Sequence, residues 1–171
     1  DCEGTPYTYT VTVNPTTGVS FIDDIVVCNG DFINNIEFTS TTQGGETTYE
    51  WVATGDDIGL DQTDDGSGLI SGFTADNISL EPLVASITVT PTFTNGGVSS
   101  EGDPLTFTIT VNPTAQVDLV DSLDLCNGDT AVVDFTTSNG GVDSVTTYSW
   151  EITDGDSIFV GGALSDVGNI N

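Results

Sequence analysis

Along residues 7–13 every second position is large and apolar. Tyr7, Tyr9, Val11 and Val13 alternate with Thr8, Thr10 and Thr12. The same alternation returns at Ile87, Val89, Pro91 and Phe93 against Thr88, Thr90 and Thr92, and at Phe107, Ile109 and Val111 against Thr106, Thr108 and Thr110. Successive strand residues point to opposite faces, so a period of two with β-branched polar partners predicts half-buried strands, apolar face inward and Thr face outward. Turn signals divide the runs: Asn29-Gly30, Gly44-Gly45, Asp65-Gly66, Asn95-Gly96-Gly97 and Asn139-Gly140-Gly141. No stretch carries a helical period. Strands are predicted near 19–27, 33–40, 47–53, 68–74, 77–81, 84–93 and 105–112. Short strands at this spacing predict an all-β, immunoglobulin-like antiparallel sandwich, in which Trp51 on the third strand takes a core position.

The pattern also repeats over a longer distance. Tyr7-Thr8-Tyr9-Thr10-Val11-Thr12-Val13-Asn14-Pro15-Thr16 returns as Leu105-Thr106-Phe107-Thr108-Ile109-Thr110-Val111-Asn112-Pro113-Thr114, 98 positions on. Cys28-Asn29-Gly30-Asp31 returns at the same offset as Cys126-Asn127-Gly128-Asp129. Ile36-Glu37-Phe38-Thr39 matches Val133-Asp134-Phe135-Thr136, and Thr47-Thr48-Tyr49-Glu50-Trp51 matches Thr146-Thr147-Tyr148-Ser149-Trp150. A fixed frame with small drifts in the loops predicts tandem domains. On this frame residues 1–15 are the final strand of one unit, 16–113 a complete unit, and 114–171 part of the next.

Composition changes the picture of function more than of fold. The 171 residues include 27 acids and no Lys, Arg or His, for a formal charge of −27. Without cations the chain cannot neutralise phosphate, which excludes nucleic acid as a partner, and it has no polybasic patch for anionic lipid. No His means no Ser-His or Cys-His catalytic pair and no imidazole metal ligand. Hydrophobic residues make up 36% of the chain, enough for a core and unlike a disordered acidic tail. No apolar run is long enough for a membrane-spanning helix, so no membrane insertion is expected. The absence of Met and of a secretory leader suggests a piece of a processed or longer chain. Three cysteines in such a chain suggest an oxidising exterior, and the odd count leaves at least one unpaired within the segment.

The frame V-N-P-T, C-N-G-D, T-T-Y-x-W, S-I-T-V-T-P-T-x-x-N-G-G and E-G-x-P-x-T-F-T-I-T-V-N-P resembles the PKD-like tandem repeat domains of very large Bacteroidetes surface adhesins, the gliding-motility adhesins of the SprB type among them. The resemblance covers the whole chain. It implies tandem PKD-like sandwiches, secretion by the type IX system, display at the cell surface in a long filamentous array, and no catalytic residues. Members of that family often carry a Cys just before the final strand. Cys2 stands there for the preceding unit, whereas the complete unit has Ser100. A bond from the C-N-G turn to the final strand of its own unit would leave Cys28 free. A bond to the neighbouring unit would join Cys2 to Cys28 and leave Cys126 free.

The role expected from these features is a structural spacer that holds an adhesive region away from the cell, with neighbouring repeats as partners. The alternative is a module that binds glycan or a surface accessory protein through exposed aromatic residues, with Tyr7, Tyr9, Phe73 and Phe93 as the side chains to watch. Acid-rich turns supply the only candidate metal chemistry. The 55–68 loop carries Asp56, Asp57, Asp61, Asp64 and Asp65, and the strand order is expected to bring Asp31, Asp56 and Asp57 beside Asn112-Pro113. Asp129, Asp154 and Asp156 would repeat that cluster. Oxygen ligands on Gly-containing loops suit calcium, although no known calcium-loop spacing is present, and solvated acidic turns account for the same residues. The paired carboxylates lie on turns, which argues against hydrolytic work. Asn77-Ile78-Ser79 forms an N-glycosylation sequon.

Overall fold

A computed structural model describes residues 1–60, 65–141 and 145–151, together with the backbone of 165–167. Among the described residues ten strands follow one another: β1 (Ile25–Cys28), β2 (Phe32–Ile33), β3 (Glu46–Gly55), β4 (Asp65–Ser67), β5 (Phe73–Thr74), β6 (Leu83–Asn95), β7 (Val98–Glu101), β8 (Leu105–Asn112), β9 (Ser149–Glu151) and β10 (Ser165–Val167). There is no helix among the described residues, hence none long and apolar enough to cross a membrane.

The main sheet has the order β1-β8-β6-β3-β4, with β7 also on β6. β2 and β5 form a small second layer, extended by a bridge between Ile36 and Ile70. Between the layers lie Trp51, Ile58, Ile70, Phe73, Ile87, Val89, Phe107, Ile109 and Val111, all buried. The arrangement is all-β and consistent with a β-sandwich.

In β6 and β8 the alternation works as the pattern dictates. Ile87, Val89, Phe93, Phe107, Ile109 and Val111 face the core. The Thr side chains between them form the outer face, where Thr88 and Thr106 hydrogen-bond side chain to side chain at 3.0 Å. Pro91 sits in the middle of β6, normally a poor place for a residue without an N–H. Here its carbonyl accepts from Gly102 N at 2.8 Å, so its missing N–H faces the same side, where β6 changes partner from β8 to β7. The proline falls at the break in the ladder.

Four expectations need correction. The sheet is mixed rather than purely antiparallel, because β1 runs parallel to β8 (Ile25 opposite Ile109, Cys28 opposite Asn112). The 77–81 segment is a turn built on Asn77, not a strand, because its polar side chains bond locally and draw the backbone out of any ladder. The predicted 19–27 and 33–40 strands shrink to β1, β2 and single bridges. Asp65-Gly66, expected as a turn, lies in β4, where Gly66 pairs with Trp51. A Cβ on Gly66 would come within 2.5–2.6 Å of the Trp51 ring, so glycine lets the indole lie flat on the edge strand. β7 went unforeseen, since Val98-Ser99-Ser100-Glu101 has no alternation to read.

Residues 1–13 form no strand and are exposed, with Tyr9, Val11 and Val13 at 76%, 72% and 85%. Among the described residues no neighbouring strand supplies hydrogen bonds to them. The chain is first held by Asn14, whose Nδ2 donates to Val98 O at 2.9 Å, and then at Gly18 opposite Asp103.

Candidate functional site

Polar side chains and turns converge at the end of the sandwich where the chain leaves β8 at Asn112-Pro113. The β1–β2 turn arrives there because β1 lies beside the last residues of β8. Gly30, at φ 87°, closes that turn in a conformation that favours glycine. Asn29 then bonds on both sides of Pro113. Its N–H donates to Asn112 O at 2.8 Å, its Oδ1 accepts from Asn77 N at 2.8 Å, and its Nδ2 donates to Thr114 Oγ1 at 2.9 Å.

Asn77 is the buried centre of this arrangement, 2% exposed. Its Nδ2 donates to Val111 O at 2.7 Å and to Glu81 O at 2.9 Å. Its Oδ1 accepts from Ser79 N at 2.9 Å and from Ser79 Oγ at 2.7 Å. Every donor and lone pair of the amide is thereby used. The sequon nitrogen is committed to the interior, and the folded domain does not present it for glycan attachment.

A further bond crosses to the following segment, from Gly140 N to Leu80 O at 2.8 Å. Beside it an open cleft of about 790 Å³ is lined by Val26, Val84, Pro113 and Val145, among others.

The acidic turns do reach this end. Asp31 follows Asn29 in the β1–β2 turn, and Asp56 lies beside Val84 at the start of β6. Their carboxylates, however, turn back onto their own surroundings. Asp31 Oδ2 accepts from Cys28 N at 2.8 Å, Asp56 Oδ2 from Val84 N at 2.8 Å, and Asp57 Oδ1 from Gly59 N at 3.0 Å. Among the described residues no three His, Cys, Asp or Glu side chains come together as metal ligands. The expected calcium cluster of Asp31, Asp56 and Asp57 has no counterpart among the described residues; each of the three carboxylates accepts a nearby backbone N–H. Asp129 Oδ2 likewise accepts from Cys126 N at 2.8 Å. Asp154, Asp156, Asp61 and Asp64 lie outside the described residues.

With no Lys, Arg or His in the chain, side-chain ion pairs are impossible and N–H and O–H donors take their place. The Thr108 backbone N–H, 2.7 Å from Asp24 Oδ1, holds that carboxyl below its ordinary range. Hydrogen bonds from Ser138 and Thr136 do the same for Asp118. Burial raises Tyr49, whose ring packs 5.8 Å from Phe38.

Several local geometries recur at the sequence offset. Asp31 N donates to Cys28 O at 3.1 Å and Asp129 N to Cys126 O at 3.0 Å. Phe38–Tyr49 and Phe135–Tyr148 both stand 5.8 Å apart. Trp51 pairs with Gly66 across β3–β4, and Trp150 with Asp166 across β9–β10. Both indole N–H groups are buried without a hydrogen-bond partner.

Of the aromatic residues singled out for binding, Phe73 and Phe93 are buried, while Tyr7 and Tyr9 are exposed on the strandless segment. The three cysteines are free and exposed. Cys28 stands opposite Asn112 at one end of β8, whereas Ser100 pairs with Phe93 toward the other end of β6. Leu83, opposite Val111, and Phe93 are ten positions apart on β6, about 33 Å at 3.3 Å per residue. A bond from the C-N-G turn to position 100 of the same unit is thus out of reach.

Sequence reasoning missed Asn29 and Asn77 as the groups that organise this end. The signal was present in Asn29-Gly30 and in the Asn-x-Ser-x-Glu run, which favour side chain-to-backbone turns. Comparison with protein-family models, with curated proteins and with solved structures finds no match to this chain.

Proposed function

We propose that this chain is a stretch of tandem immunoglobulin-like, PKD-like domains. It acts as a non-enzymatic spacer in a long cell-surface adhesin or filament, in keeping with the gliding-motility adhesins it resembles. The observation that carries this reading is the hydrogen-bonded junction. Asn29 ties the last residue of β8 to Thr114 beyond Pro113, and Leu80 O takes the Gly140 N–H. A spacer needs such a junction, because a flexible tether would let successive units fold onto one another. Pro113 restricts its own φ and biases Asn112 toward extended backbone.

Like charge adds to the effect. Fifteen of the 27 acids fall in residues 16–113, so neighbouring units repel and an array stays extended and soluble. Extracellular display and secretion follow from the same resemblance.

Small-angle scattering tests the reading. The chain should keep one maximum dimension between low and high salt, and Asn29→Ala should broaden the distribution toward shorter distances. A wild-type chain that already samples compact and extended forms equally would end the spacer proposal.

The exposure of Tyr7 and Tyr9 favours a second reading, a glycan- or protein-binding module. A glycan array probed with the wild-type chain and with Tyr7→Ala/Tyr9→Ala separates the two. Binding lost in the double variant would support the module.

A further inference from the structure

Four Asn-Gly steps occur in this chain: Asn29-Gly30, Asn95-Gly96, Asn127-Gly128 and Asn139-Gly140. Asparagine is thermolabile, and a following glycine is its weakest point, because no Cβ keeps the glycine nitrogen away from the side-chain carbonyl carbon. The reaction needs that nitrogen and the carboxamide both unoccupied. Two of the four steps meet at the Asn112-Pro113 junction, and there both groups are held. Gly30 N donates to Ala75 O at 2.8 Å, while the Asn29 carboxamide is fixed by Asn77 N and Thr114 Oγ1 at 2.8 and 2.9 Å. Gly140 N donates across to Leu80 O at 2.8 Å, while the Asn139 carboxamide accepts from Gln116 N at 2.7 Å and donates to Thr114 O at 3.2 Å. The β6–β7 turn shows that such holding is no property of the dipeptide. Among the described residues neither Gly96 N nor the Asn95 carboxamide has a hydrogen-bond partner. Asn127-Gly128 matches Asn29-Gly30, and the counterparts of Ala75 and Asn77 lie past residue 171 on the 98-residue frame.

We propose that Asn29-Gly30 and Asn139-Gly140 are self-modification sites gated by the junction. Closed, the junction holds them inert; once opened, it lets them convert, and conversion keeps it from closing again. Opening is a local event, and its population sets the rate of a slow reaction that needs it.

In the open state the Gly30 nitrogen attacks Asn29 Cγ. A bond forms between Gly30 N and Cγ, the Cγ–Nδ2 bond breaks, and the glycine proton leaves with Nδ2 as ammonia, giving a five-membered succinimide. Water then opens either imide carbonyl and leaves aspartate or isoaspartate. No oxidant or reductant takes part. Isoaspartate carries the backbone through Cβ, which adds a methylene between Asn29 N, held by Asn112 O, and Gly30 N, held by Ala75 O. The two bonds can then no longer be made together. Each conversion also adds a negative charge to a chain that already carries −27.

The full chain tests this in an Asn95→Gln/Asn127→Gln background, where the junction holds the only Asn-Gly steps left. After incubation at mildly alkaline pH, mass spectrometry of the digested chain reads each conversion as a gain of one mass unit in its peptide. Folded chain should convert at Asn29 and Asn139 at least about tenfold more slowly than chain in guanidinium. Thr114→Val removes one exposed acceptor and should speed conversion at Asn29 about fivefold, the worth of one ordinary hydrogen bond, with tryptophan fluorescence unchanged. Thr114→Ser keeps the acceptor and should convert at the parent rate. The fraction converted at Asn29, separated by its extra charge, should melt below the unconverted fraction. Folded chain that converts as fast as unfolded chain overturns the proposal. So do equal rates in Thr114→Val and Thr114→Ser, or equal melts of the two fractions.

Discussion

The same eight-residue pattern occurs twice in this chain, with opposite outcomes. At Leu105–Asn112 it is a central strand with three apolar side chains fully buried. Over residues 7–14 it is an exposed segment without a ladder. Propensity and alternation are shared, so neither decides the difference. What differs is company. β8 has β1 on one side and β6 on the other, with a second layer closing over Phe107 and Ile109. Alternation specifies which face a strand would bury. Whether the strand forms depends on neighbours that satisfy its backbone and cover that face.

Matched substitutions give the largest expected effect. Ile109→Ala removes a fully buried side chain and should cost about 2–5 kcal/mol. Val11→Ala, at the equivalent position, should leave the unfolding midpoint of dilute, monomeric chain unchanged. Urea melts of the two variants check this. Equal losses would mean that the 7–14 segment is packed in solution.

The junction gives the next largest effect. Asn77→Asp keeps the shape but turns the donor toward Val111 O and Glu81 O into an acceptor. A buried carboxyl facing two carbonyls should cost about 3 kcal/mol or more at neutral pH. The loss should shrink on acidification, because a protonated carboxyl can donate again. Asn127→Ala, at the counterpart of Asn29, should cost far less. Guanidinium melts at neutral and acid pH check both. Asn77→Asp as stable as wild type would show that the amide is not the centre of the junction.

A smaller effect is expected at the edge strand. Gly66→Ala drives a methyl into the Trp51 ring and should cost about 1–3 kcal/mol through overpacking. Tryptophan fluorescence should report the displaced indole. An unchanged melt would place β4 further from Trp51 than its register indicates.

These contrasts show what was legible in the sequence. The inward faces of β6 and β8 and the burial of Trp51 follow from local alternation and turn spacing, which depend on nearby residues alone. The parallel pairing of β1 with β8 joins segments more than eighty residues apart, and no local pattern encodes it. Strand count brings the turns that carry Asp31 and Asp56 toward the Asn112 end of β8, but no local pattern shows that the amides of Cys28, Val84 and Gly59 donate to Asp31, Asp56 and Asp57. The role of Asn77 is not legible in a pattern that predicts a strand over 77–81, because its bonds to Ser79, Glu81 and Val111 belong to a turn.

The smallest predicted effect concerns acid. Asp24 immediately precedes β1, and its carboxylate accepts the Thr108 N–H that β1 begins too late to pair. This bond favours the charged form and lowers the carboxyl's pKa in the folded state. A carboxyl lowered on folding contributes stability that is present above its unfolded pKa and lost as pH falls through its folded pKa. The contribution of Asp24 should therefore hold at neutral pH and fade as pH drops below about 4. Protonation of the other carboxylates acts in the opposite direction, because it relieves the repulsion of a chain with no cationic side chains. Wild type should thus become more stable on mild acidification before the Asp24 bond is lost. Asp24→Asn retains an acceptor for Thr108 without the charge. Its melting temperature should lie slightly below wild type at neutral pH, with the gap closing in acid. Thermal melts of wild type and Asp24→Asn across the acid range measure the gap. A gap for Asp24→Asn that widens in acid would show that the carboxylate is not held by Thr108.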